Sequence, residues 1–154
     1  MVSICISAKG KLRFAFFQAI RVAIPLCSYP TPASRSQGIS SGSMVPNTVD
    51  GTTPAWIATL DTLAKTNAQY TFIPGHGDVA NARDVIAFRD YLGALRTLVA
   101  DVQRQGKSGT ALVEAVLPTL KKNYGQWDFF AFLAEPNIRD MEAELSGKKR
   151  VPQP

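Results

Sequence analysis

Six apolar residues, Val85, Phe88, Leu92, Leu95, Val99 and Val102, follow one another at spacings of three, four, three, four and three. That recurrence puts all six on one face of an α-helix, because 3.6 residues make a turn. The stretch runs from about Asn81 to Gln105 and meets Gly106, a residue that ends helices by adopting the left-handed conformation. It holds fewer than three full heptads, which is short of what a coiled coil requires. The expectation is one long amphipathic helix that lays its stripe on a sheet.

The segments on either side set the fold class. Upstream, TTPAWIATLDTLAK carries Trp56, Ile57, Leu60, Leu63 and Ala64 at helical spacing, with Thr53 as N-cap and Pro54 in the first turn. YTFI, residues 70–73, reads as a short buried strand that Pro74 ends. Helix, strand, loop and helix in that order predict the α/β class. Downstream, Ser108 is expected to cap a shorter helix over 110–117, closed by Pro118. Glu135 and Pro136 are expected to open a last helix carrying Ile138, Met141 and Leu145, stopped by Gly147. Between them lie Tyr124, Trp127, Phe129, Phe130 and Phe132, read as rings that plug one end of a core rather than as a base-stacking surface.

Charge divides the chain. Residues 1–49 contain Lys9, Lys11, Arg13, Arg21 and Arg35 and no acid, so the net charge of +5 lies wholly there; the remaining 12 basic residues face all 12 acidic ones. With no basic face on the well-patterned part, no nucleic-acid partner is expected. Residues 1–44 read as a basic leader followed by a Pro/Ser/Gly linker, residues 45–146 as the folded domain, and residues 147–154 as a solvated basic tail. The order of the cationic lead-in and FAFFQAI resembles that of a secretory signal. Gln18 and Arg21 interrupt the apolar run and no A-x-A site follows, so a cytoplasmic location is favoured slightly. No run approaches the roughly 18 apolar residues of a membrane span, and no membrane partner is expected. The two cysteines, Cys5 and Cys27, form no C-x-x-C pair.

His76 is the only histidine and sits in PGHGD, flanked by Gly75 and Gly77. Glycines on both sides let a tight loop aim an imidazole. The end of a strand is where α/β proteins gather site residues, and imidazole is the commonest protein ligand for zinc.

The run FIPGHGDVANARDVIAFRDYL resembles the C-terminal part of the metallo-β-lactamase-fold hydrolases. VPNTVDGTTPAWIATLDTLA is similar to the helix that precedes this loop in that family, and NIRDMEAEL to a closing helix of some members. The resemblance covers about Val45 to Leu145. It implies part of an αβ/βα sandwich, mostly helices with a few short strands, with zinc as cofactor and His76 as a metal ligand. It also implies hydrolysis of ester, thioester or amide-type bonds by metal-bound hydroxide.

The family builds most of its site from an H-x-H-x-D-H motif, a further histidine and a bridging aspartate, none of which occurs here. A catalytic zinc generally needs three protein ligands and an open position. One histidine, with Asp78, Asp50 or Asp61 as incidental carboxylates, predicts weak and unselective metal binding, and no catalytic residue is assigned. The expectation is a truncated hydrolase, inactive alone, whose helices leave apolar faces for a complementary chain or a second copy to cover. The alternative is a small non-catalytic α/β interaction module. Whether Arg83, Arg89 or Trp56 faces a substrate is not fixed by sequence.

Overall fold

The structure, a computed structural model, describes residues 44–49, 51–66 and 80–150, together with the backbone of three strands nearer the N-terminus. The strands are β1 (Ser3–Ala8), β2 (Lys11–Phe16) and β3 (Leu26–Ser28), in the order β2-β1-β3. β1 pairs antiparallel with β2 and parallel with β3, in a register that sets Cys5 opposite Cys27.

From Met44 onward the described residues form four helices: α1 (Thr53–Thr66), α2 (Ala82–Arg104), α3 (Gly109–Tyr124) and α4 (Phe130–Leu145). This corrects the expected α/β class and the partial αβ/βα sandwich. Among the described residues of this part there is no strand; Met44 and Asp128 form an isolated parallel bridge. The stripe on α2 is covered by helices rather than by a sheet. Tyr91, Leu92, Leu95 and Val99 are fully buried on α2, which packs against α1, α3 and α4. The expected strand over YTFI lies outside the described residues.

Side-chain pairs fix the directions of the helices. Thr53 and Asp61 of α1 meet Arg96 and Arg89 of α2, so α1 runs antiparallel to α2. Asn137 and Glu144 of α4 meet Tyr91 and Arg96, so α4 runs parallel to α2. Gly109 of α3 meets Glu142 and Tyr124 meets Tyr91, which sets α3 antiparallel to both. Leu112, Val116 and Leu120 of α3 and Ile138 and Met141 of α4 complete the core.

Two prolines expected to bound helices lie inside them. α3 continues through Pro118 and α4 begins well before Pro136. A proline deprives the carbonyl four residues earlier of its partner. Here those carbonyls belong to Glu114 and Phe132, and all four residues are exposed, so water can bond the freed groups. Burial of Leu120 beyond Pro118, and of Phe130 and Ala134 before Pro136, holds both helices across the interruption.

Helix starts are completed largely from α4. At α2 the cap is local: Asn81 Oδ1 accepts from the Arg83 N–H at 2.8 Å, and Asp84 Oδ2 accepts from the Asn81 N–H at 2.7 Å. At α3, Ser108 makes no side-chain cap. Instead Glu142 Oε1 of α4 accepts from the Gly109 N–H at 2.9 Å. At α1, Glu144 accepts from both the N–H and the hydroxyl of Thr53, at 3.0 and 2.5 Å. A carboxylate at a helix N-terminus meets unsatisfied N–H groups and the positive end of the dipole.

Candidate functional site

His76, the expected metal ligand, lies outside the described residues, as do Asp50 and Asp78. Its segment, residues 67–79, joins the end of α1 to the start of α2. The other candidates are placed. Asp61 Oδ1 accepts from Arg89 Nη1 at 2.8 Å, and Arg89 also pairs with Asp90 at 2.6 Å. Hydrogen bonds to Asp90 and then Asp61 raise the pKa of the Arg89 guanidinium. Arg89 is thus occupied by two carboxylates. Arg83 is exposed in the first turn of α2. Trp56 is buried and stacks on Phe88, with ring centroids 6.1 Å apart and planes at 14°. Its ring is a packing element between α1 and α2 rather than a surface that greets a substrate.

The implied zinc does not fit the described residues. Among them no three His, Cys, Asp or Glu side chains come together as a metal-binding group. Asp140 and Glu144, which share Lys149, are held by that lysine and by Arg96.

The polar cluster that the structure does assemble was not foreseen from sequence. It lies where the segment before α1 runs along α4. Asn137, buried on α4, donates through Nδ2 to the Pro46 carbonyl at 2.7 Å and to the Tyr91 hydroxyl at 3.2 Å. Its Oδ1 accepts from the Thr48 N–H and the Thr48 hydroxyl, at 3.2 and 3.1 Å. Thr48 Oγ1 also lies 2.6 Å from Asp140 Oδ2. Lys149 Nζ donates to that same oxygen at 2.7 Å and to the Thr48 carbonyl at 2.6 Å. Arg96 Nη1 completes the series by donating to Glu144 Oε1 at 2.7 Å.

The cluster holds two cations and two carboxylates, so its charges balance internally. Burial pushes the Tyr91 hydroxyl up to about 12, opposed by the hydrogen bond from Asn137. Burial, and then Asp90, also raise Tyr124. Tyr91 therefore stays neutral at ordinary pH, and its hydroxyl oxygen accepts from Asn137. The arrangement is chemically a clasp: it satisfies the polar groups of an incoming segment that would otherwise be buried without partners. One sequence signal pointed to it. Asn137 occupies an apolar stripe with Ala134, Ile138 and Met141, and a lone amide there needs a partner.

A second feature lies at the turn into α4. Tyr91, Tyr124 and Trp127 pack as a trio with centroids 5.0–5.6 Å apart, and Phe130 is buried beside the core. Phe129 and Phe132 instead point outward, 56% and 75% exposed. Phe129 sits at φ 61°, in the left-handed region that a bulky side chain rarely adopts. The rings of this stretch thus divide between a core plug and an exposed pair. No protein-family model matches the chain, and no curated protein or solved structure matches it significantly.

Proposed function

We propose that this chain is a helical portion of a metal-dependent hydrolase of the metallo-β-lactamase family, contributing one metal ligand, His76, and unable to hydrolyse a substrate alone. The sandwich fold is no part of this reading, since the described residues do not form one. One observation carries it. In sequence the PGHG segment falls between two antiparallel, mutually packed helices, and the start of the second is fixed by the reciprocal bonds of Asn81 and Asp84. A segment whose two flanking helices are held in this way is suited to presenting a single imidazole. Inactivity follows from the ligand count, because one histidine is short of the three protein ligands a catalytic zinc requires.

The test is turnover by the purified full chain, loaded with zinc, on an ester, a thioester and a β-lactam amide. The expected rate is that of zinc in buffer. Turnover above it, lost in His76→Ala, would overturn the claim of inactivity.

The alternative, a non-catalytic interaction module, is favoured by the exposed and strained Phe129 beside Phe132. In its favour, a bulky residue held in a sparsely populated backbone region, as Phe129 is, is a feature that clusters at functional sites. Sedimentation of the wild type beside Phe132→Ser tests whether that partner is a second copy. Concentration-dependent association that the variant abolishes would support it, and a monomer in both would not.

A further inference from the structure

Residues 147–149, read from sequence as the start of a solvated tail, turn back onto the helices. Gly147, at φ 68°, turns the chain, and the N–H groups of Lys148 and Lys149 both reach back to the Ala143 carbonyl, at 2.8 and 3.0 Å. That turn carries the Lys149 side chain inward until only 5% of it is exposed. Lysine is rarely buried unless it is paired. Here its ammonium finds the Thr48 carbonyl and Asp140, with Glu144 Oε2 at 3.7 Å.

We propose that Lys149 is a latch: it clasps residues 44–49 to α4, and that segment opens as a unit without unfolding the helices. Three observations separate this segment from the rest of the domain. Its anchors are mostly polar: Val45 N–H to the Asp128 carbonyl at 3.0 Å, the Asn137 bonds, the Thr48 hydroxyl to Asp140, and Lys149. Val45 and Pro46 are its buried apolar side chains, and Val49 is half exposed. The start of α1 has a partner of its own, because Glu144 holds Thr53 and keeps Arg96 as its cation when Lys149 is withdrawn. Segments with few apolar contacts open at lower free energy than the cores they lie on.

Removing the ammonium leaves the Thr48 carbonyl without its donor and Asp140 without its cation, close to Glu144. Asp140 then gains by turning to solvent, and the Thr48 hydroxyl loses that partner too. The latch thus couples the C-terminal end of the helical domain to the point where the chain enters it. Modification or removal of residues from Gly147 onward frees the approach to α1 while leaving α2, α3 and α4 packed.

The test is amide-resolved hydrogen exchange on the full chain, wild type beside Lys149→Met, which keeps the apolar stem, and Asp140→Asn. A hydrogen bond to a charged group contributes about 1.5–3 kcal/mol, or about ten- to a hundredfold in an opening equilibrium. The Val45 and Thr48 amides should exchange faster by that factor in both variants, with Leu95 and Val99 of α2 unchanged. Lys149→Arg, which retains the charge, should keep most of the protection. Should Lys149→Met fail to fold, Asp140→Asn carries the same readout. Unchanged exchange at Val45 and Thr48 would overturn the latch, and so would equal acceleration across all four helices.

Discussion

Replacing Asn137 with leucine tests whether the clasp is held by hydrogen bonds or by packing. The two side chains are close in size, so the change removes polar partners while leaving the volume nearly filled. The Pro46 carbonyl loses its donor and the Thr48 N–H its acceptor, both at a site where Asn137 is almost wholly buried. The Tyr91 hydroxyl also loses the donor at 3.2 Å, whereas the Thr48 hydroxyl keeps Asp140. Leaving a buried polar group unsatisfied costs about 1–3 kcal/mol, so the two backbone groups together cost about 2–6 kcal/mol. Greater burial of apolar surface by leucine returns about 1–2 kcal/mol. The net expectation is a loss of about 1–4 kcal/mol in urea unfolding followed by far-ultraviolet circular dichroism. Asn137→Asp should destabilise as well, because it keeps an acceptor for Thr48 but turns a carboxylate toward the Pro46 carbonyl. A leucine variant within about 0.5 kcal/mol of wild type would refute the reasoning, since packing would then hold the segment without help from the amide.

Further expectations follow from the same contacts. Leu95→Ala, at the centre of α2 and fully buried, should cost about 2–5 kcal/mol in the same assay. Gly51→Ala should destabilise by about 1–3 kcal/mol, because the added Cβ would overlap Trp56 Nε1 and lie 2.9 Å from its Cε2, while Phe88 backs the indole. Tyr91 ionises near 10 unfolded and near 12 folded. Its share of stability, about 3 kcal/mol for two pH units, is complete below pH 10 and is lost as pH rises from 10 to 12. Tyr91→Phe should flatten that part of the stability–pH curve, and an unchanged curve would contradict the assignment.

Local periodicity made α2 legible almost to its ends: the stripe, the Asn81 start and the Gly106 stop all appear as read. The partners of the stripe were not legible, because spacing says that a face is buried but not whether a sheet or helices bury it. That is why the α/β class was expected and four helices are found. Pro118 and Pro136 misled for a related reason. Proline ends an isolated helix, but buried side chains beyond Pro118 and before Pro136 outweigh the lost bonds when the freed carbonyls face water. Ser108 and Thr53 have the chemistry of caps, yet Glu142 and Glu144 supply the charge that completes those helix starts. Such pairings span 33 and 91 residues of sequence, and no local pattern encodes them. Lys149 carries the same lesson, since in sequence it belongs to a basic tail and in the structure it is among the least exposed charges. The PGHG motif was the most specific signal for function, and its own segment lies outside the described residues.

Zinc binding by the full chain, measured by titration for the wild type and His76→Ala, tests the proposed function most directly. The account predicts weak binding, far short of the roughly 10–16 kcal/mol of structural zinc sites, reduced further in the variant and leaving the unfolding transition unmoved. Stoichiometric, tight binding lost in His76→Ala would contradict it, because the chain would then be completing a metal site by itself.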